Sequence, residues 1–199
     1  MSRASLLRPA RPGLRLEQGQ SVLLDANTPL LSLGLRVEAG LVRVYLPSPE
    51  GVEITIGFLQ SGEGLNPETV LRDWVGLEAL CPATLSTLTP ADPPPKAGEG
   101  VGDWMLELLL IRHLNPCEQR LQALLTLLVL RLGRRNGAWY ELPMRLTHER
   151  LAELIGSTRV TVTKMMSRWR ETDLVAYGDG GSTGLRLAPA LVESERLVA

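Results

Sequence analysis

The sequence predicts an α+β chain: a β-rich first half, two connecting helices, and a small helical domain closed by a hairpin. Three observations predict it. Short apolar runs broken by turn residues fill Leu16 to Leu59. Leucines at helical spacing follow between Leu121 and Leu132. Two amphipathic segments then meet at a single glycine, Gly156. With 199 residues, 44% of them apolar, the chain can bury a core in two small domains. The expected division is 1–100 for the β-rich unit, 101–136 for the connecting helices and 137–199 for the C-terminal unit.

Met1 to Leu14 carries Arg3, Arg8 and Arg11 with two prolines, and reads as a flexible lead. It lacks the basic-then-apolar pattern of a signal peptide, so a cytoplasmic protein is expected. Val22–Leu24, Leu31–Val37, Leu41–Leu46 and Val52–Leu59 are then short apolar runs, punctuated by Gly19, Gly40, Gly51 and Gly62. Such runs indicate an all-β roll or sandwich. Alternation over Glu53-Ile54-Thr55-Ile56 predicts that both isoleucines face inward. Gly62 to Asp73 is ambiguous, and Glu78 to Leu88 reads as a strand broken near Pro82. Thr89 to Gly102, with Pro93-Pro94-Pro95, fits neither a helix interior nor a sheet centre and reads as a linker.

Val101 to Leu114 is the first connecting helix, with an apolar face of Trp104, Met105, Leu108 and Ile111. That face suits either the core or a two-fold dimer contact. Asn115 and Pro116 read as cap and first position of a second helix from Cys117 to about Arg134. Its apolar stretch, Leu121 to Leu130, is far short of the about 20 residues needed to cross a bilayer, so no membrane association is expected.

Thr147 can cap a helix whose inner face is Leu151, Leu154 and Ile155. Gly156 supplies a tight turn, and Ser157 or Thr158 caps a second helix over Thr158–Thr172. At 100° per residue, Val162, Met165, Met166 and Trp169 form one apolar back. Val160, Thr163, Lys164 and Ser167 lie opposite, with Arg159 at the N-terminal edge. An apolar back with a front of Arg, Thr, Lys and Ser suits the major groove of double-stranded DNA. The net charge of the chain is −1, whereas Arg145 to Arg170 holds six basic residues against two acids. Basicity is thus local to the segment that would meet phosphate. Leu174–Tyr177 and Leu185–Leu187 flank a Gly-rich turn and predict a hairpin, so the whole reads as a winged helix-turn-helix.

These residues resemble the DNA-binding domain of the Crp/Fnr superfamily, and the run Ile155 to Thr163 is similar to its cyanobacterial nitrogen-control branch. The resemblance implies a cyclic-nucleotide-binding-like roll in the first half and a homodimeric transcription regulator, with RNA polymerase as a further candidate partner. It implies DNA contacts from Thr147, His148, Ser157, Thr158, Arg159, Val160, Thr161, Thr163, Lys164, Ser167 and Arg168. Arg159 matches the family's guanine-reading arginine, and Val160 stands where the cyclic-AMP branch has Glu, implying GTA…TAC palindromes.

The effector site departs from the family. Gly62, Glu63 and Arg72 are the candidate effector-binding residues, but Asp73 sets a carboxylate where a hydroxyl should meet phosphate, and Trp74 is bulky where Ala leaves room. Like charge and lost volume oppose cyclic AMP, and a surface turn with a solvated ion pair is the favoured reading of the three. His113 and His148 are the only histidines, so neither haem nor another cofactor is expected. A cupin-type metalloenzyme needs clustered His on its strands, and none stands in residues 1–112, so no metal site and no enzyme activity are expected. Cys81 and Cys117 read as small buried hydrophobes. The degenerate cassette and the short first helix leave one alternative: an interaction protein that has lost its sensor and acts through a partner.

Overall fold

The computed structural model describes residues 13–25, 28, 31, 33–48, 50–66, 74–90, 92, 100–178 and 184–193. Among the described residues, eight strands form the first half: β1 (Gly13–Leu16), β2 (Ser21–Asp25), β3 (Leu35–Ala39), β4 (Leu41–Pro47), β5 (Glu53–Gln60), β6 (Gly64–Leu65), β7 (Trp74–Ala79) and β8 (Ala83–Thr87). They make two antiparallel sheets, ordered β1-β8-β3-β6 and β2-β7-β4-β5. Val37, Val42, Val44, Leu59, Val75, Leu77 and Leu85 fill the space between them. β1 begins inside the stretch read as a flexible lead and pairs with β8. Pro82 separates β7 from β8 rather than breaking one strand.

The expectation for Ile54 fails. Ile54 is 45% exposed, whereas Thr55 is buried. The outer face of β5 is not solvent: a helix of the C-terminal unit covers it and hydrogen-bonds Thr55. Helix α1 (Val101–His113) also lies on β5. Gly57 permits this, since a Cβ there would stand 2.8 Å from the Cβ of Trp104. Phe58 then meets Trp104 edge-on, with centroids 5.1 Å apart. Of the four-residue face read from the sequence, Trp104, Leu108 and Ile111 are core and only Met105 is partly exposed. The stripe left open on α1 is Leu106, Leu109 and Leu110, each more than half exposed.

Helix α2 (Cys117–Leu132) carries the fully buried Leu121, Leu124, Leu125 and Leu128. Its N-cap is Pro116, not Asn115; the Pro116 backbone is extended and its carbonyl accepts from Gln119 and Arg120. The helix stops at Leu132, because Arg134–Asn136 (β9) turns at Gly137 and pairs with Trp139–Glu141 (β10). Sequence reading missed this hairpin, which places the start of the C-terminal sheet ahead of the expected boundary at 137. Helices α3 (His148–Ile155) and α4 (Arg159–Glu171) follow, then β11 (Val175–Tyr177), β12 (Leu185–Leu187) and the short α5 (Pro189–Glu193). The sheet of this unit is ordered β11-β12-β10-β9.

Candidate DNA interface

The interface is built on the α3–α4 corner. Thr147 caps α3, its hydroxyl accepting the Arg150 amide at 3.1 Å. Gly156 ends the helix in the left-handed region at φ 62°, where only glycine is free of Cβ strain. Thr158, not Ser157, caps α4 by accepting the Thr161 amide at 3.2 Å. Val162, Met165, Met166 and Trp169 are buried against Leu151, Leu154 and Ile155, as the periodicity predicts. This holds α4 with its other face outward. Val160 is 64% exposed, and Arg159, Thr163, Lys164 and Ser167 are exposed beside it.

Not every candidate stands free on that face. The Thr161 hydroxyl lies 2.9 Å from that of Thr158, and Ser157 accepts from the Cys117 thiol at 3.2 Å. Cys117 and Cys81 are both half-buried rather than core. Arg168 turns toward α2 and pairs with Glu118, which also accepts the Trp169 indole N–H at 3.1 Å. Hydrogen bonding from Arg168 holds the Glu118 carboxyl below its ordinary range, against the opposing effect of burial.

His148 occupies the junction of three elements. Its Nδ1 is 2.9 Å from Oγ1 of Thr163 on α4, and its Nε2 is 3.2 Å from the hydroxyl of Tyr177 on β11. Burial, and then the charges of Arg145, Arg159 and Arg170, push its pKa down and favour the neutral ring. The guanidinium groups of Arg145 and Arg170 both lie over the Tyr177 ring, 4.8 and 5.3 Å from its centroid. A cavity of about 410 Å³ opens here, lined by Arg145, Thr147, His148, Glu149 and Arg159. Arg145, Arg170 and Tyr177 were not read as site residues. The two arginines are visible in the local charge, but Tyr177 comes from a strand that no spacing rule ties to α3.

In the roll, Gly62 and Glu63 shape the turn after β5. Gly62 has φ 91°, and the Glu63 carboxylate accepts the Gln60 amide at 2.8 Å. Arg72 lies outside the described residues. Among the described residues, no cluster of His, Cys, Asp and Glu could hold a metal, and no helix is long and apolar enough to cross a membrane.

Two family descriptions match along the chain: the cyanobacterial CRP family N-terminal domain over residues 14–95, and the Crp-like helix-turn-helix domain over 119–191. A curated relative, the regulatory protein CysR of Synechococcus elongatus, is 30% identical over 150 residues, covering 72% of each chain. The chain belongs to the Crp/Fnr family, in its cyanobacterial branch. Two solved Crp/Fnr-family regulators of Thermus thermophilus share the fold. Both are 22% identical, with TM-scores of 0.64 and 0.66. The alignments cover 92% and 94% of this chain, and 98% and 97% of those chains. As a Crp/Fnr member the chain is a DNA-binding transcription regulator, with a cyclic-nucleotide-binding-like roll ahead of its winged helix-turn-helix.

Proposed function

We propose that this regulator binds a palindromic DNA site as a homodimer, each protomer laying α4 in the major groove, and that cyclic AMP is not its effector. One observation carries the reading. The face of α4 bearing Val160, Lys164 and Ser167 is held outward by a fully packed back, with Arg159 at its N-terminal edge. An arginine there is a bidentate donor suited to guanine O6 and N7, and Val160 offers methyl contact to thymine but no acceptor for cytosine. A half-site of the GTA type follows. Against cyclic AMP stand Asp73 and Trp74 in the cassette, and a Glu63 carboxylate already engaged in its own turn.

The test is fluorescence anisotropy of a GTA…TAC duplex with the full chain and no added ligand. Sub-micromolar binding that Arg159→Ala weakens by about tenfold or more supports the reading. Selection from random DNA that returned TGTGA-type half-sites would overturn the assigned sequence.

A further inference from the structure

The outer face of the β2-β7-β4-β5 sheet carries charge. Arg43 on β4 is almost fully buried there and donates to Glu53, to Glu78 at 2.6 Å and to the Thr55 hydroxyl at 3.0 Å. The residues that complete this cluster come from α3, nearly a hundred positions later. Glu153 accepts the Thr55 amide at 3.1 Å with one carboxylate oxygen and the Thr55 hydroxyl at 2.8 Å with the other. Arg150, one turn earlier, reaches Glu53 at 3.1 Å and Glu78 at 3.7 Å. Burial pushes the Glu53 carboxyl up, and Arg43 and Arg150 outweigh it, so it stays ionised.

None of these bonds covers the recognition face. They grip the side of α3 turned away from α4, whose outward residues stay exposed. Arg112 of α1 makes a third tie, donating to the carbonyls of Glu153 at 2.6 Å and Leu154 at 3.0 Å in the last turn of α3. α3 is therefore fixed to the sheet and to α1 on one side and packed against α4 on the other. Its orientation passes to the recognition helix through a single layer of side chains.

We propose that Arg150 and Glu153 are positioning residues: they clasp α3 to the roll and so set the direction of the recognition helix in each protomer, and with it the half-site spacing the dimer accepts. This rests on the palindrome reading above. A dimer whose two recognition helices are rigidly aimed gains its second contact only when the half-sites fall where the helices point. A loose domain tolerates several spacings and gains less from each.

The experiment uses the full chain and GTA…TAC duplexes with varied spacers, beside a duplex bearing one half-site. The wild type is expected to prefer one spacer by about tenfold or more, and Glu153→Ala and Arg150→Ala to flatten that preference to about twofold. Binding to the single half-site should be unchanged in both variants, which separates loss of aim from loss of fold. A second readout needs no DNA. Amide exchange at Thr55 should quicken about tenfold in Glu153→Ala, with Leu151 of α3 unaffected. Glu153→Gln, which keeps a carbonyl oxygen for that amide, should restore most of the protection. Variants that keep the wild-type spacer preference, or a Thr55 amide that exchanges equally fast with and without Glu153, would overturn the clasp. A wild type that binds no such duplex at any spacing defeats the palindrome reading, and Thr55 exchange then decides the clasp alone.

Discussion

Nδ1 of His148 lies 2.9 Å from Oγ1 of Thr163, joining the start of α3 to the recognition helix. Thr163 in turn donates its proton to the Arg159 carbonyl at 2.8 Å. A consistent chain results when His148 is neutral with its proton on Nδ1. Tyr177 donates to Nε2, His148 donates to Thr163, and Thr163 donates to the backbone. A second ring proton would face the Tyr177 hydroxyl and three guanidinium groups.

His148 should therefore make stability depend on pH. Its folded pKa is depressed below the ordinary value of about 6.5, so its contribution is complete above that value and is lost as pH falls toward the folded pKa. Thermal unfolding of wild type and His148→Gln at about pH 7.5 and about pH 5 reads this dependence. The wild type should lose more Tm than the variant on acidification. Equal losses would show that another group carries the titration.

Arg159 and Val160 should divide affinity and sequence choice. Arg159→Ala should cost about 1–3 kcal/mol on the preferred site and relax the choice of guanine. Val160→Glu introduces a carboxylate that can accept from cytosine N4, so selection from random DNA should shift toward TGTGA-type half-sites. A selected sequence that Val160→Glu leaves unchanged would mean position 160 does not reach the bases.

The α3–Gly156–α4 corner was legible because its determinants are local. A cap, a left-handed glycine and a 3.6-residue period all lie within 25 positions of one another. The roll was legible as a class from its short runs, but not in its facing. Thr55 is buried on the outer face because Glu153, 98 positions away, accepts both its amide and its hydroxyl. Local alternation assumes a wet outer face, and here a helix covers it. The same cause turns Trp104, Leu108 and Ile111 inward and leaves the α1 stripe to other leucines. Arg168 counts among the DNA contacts that the resemblance implies, whereas its partner Glu118 stands on another helix.

Arg168 should thus matter less to DNA than its neighbour Lys164. Its guanidinium is paired with Glu118, whose carboxylate offsets the charge it would offer a phosphate. Lys164→Ala should reduce the slope of log affinity against log salt by about one contact. Arg168→Ala should leave the slope unchanged within error. A fall in slope equal to that of Lys164→Ala would place Arg168 on a phosphate after all.

The dimer surface is the last point to test, and α1 offers it. Leu106, Leu109 and Leu110 are 54–56% exposed on one helix that spans about 20 Å. Three adjacent leucines in water are an unfavourable surface unless another apolar surface covers them. Leu109→Arg puts a charge in the middle of that stripe without touching the buried face of Trp104, Leu108 and Ile111. Sedimentation equilibrium should show a dimer for the wild type and a monomer for the variant, with Tm near the wild-type value at matched monomer content. Affinity for the palindrome should drop toward that for a single half-site, because two linked contacts become one. A variant that stays dimeric would move the two-fold axis off this helix.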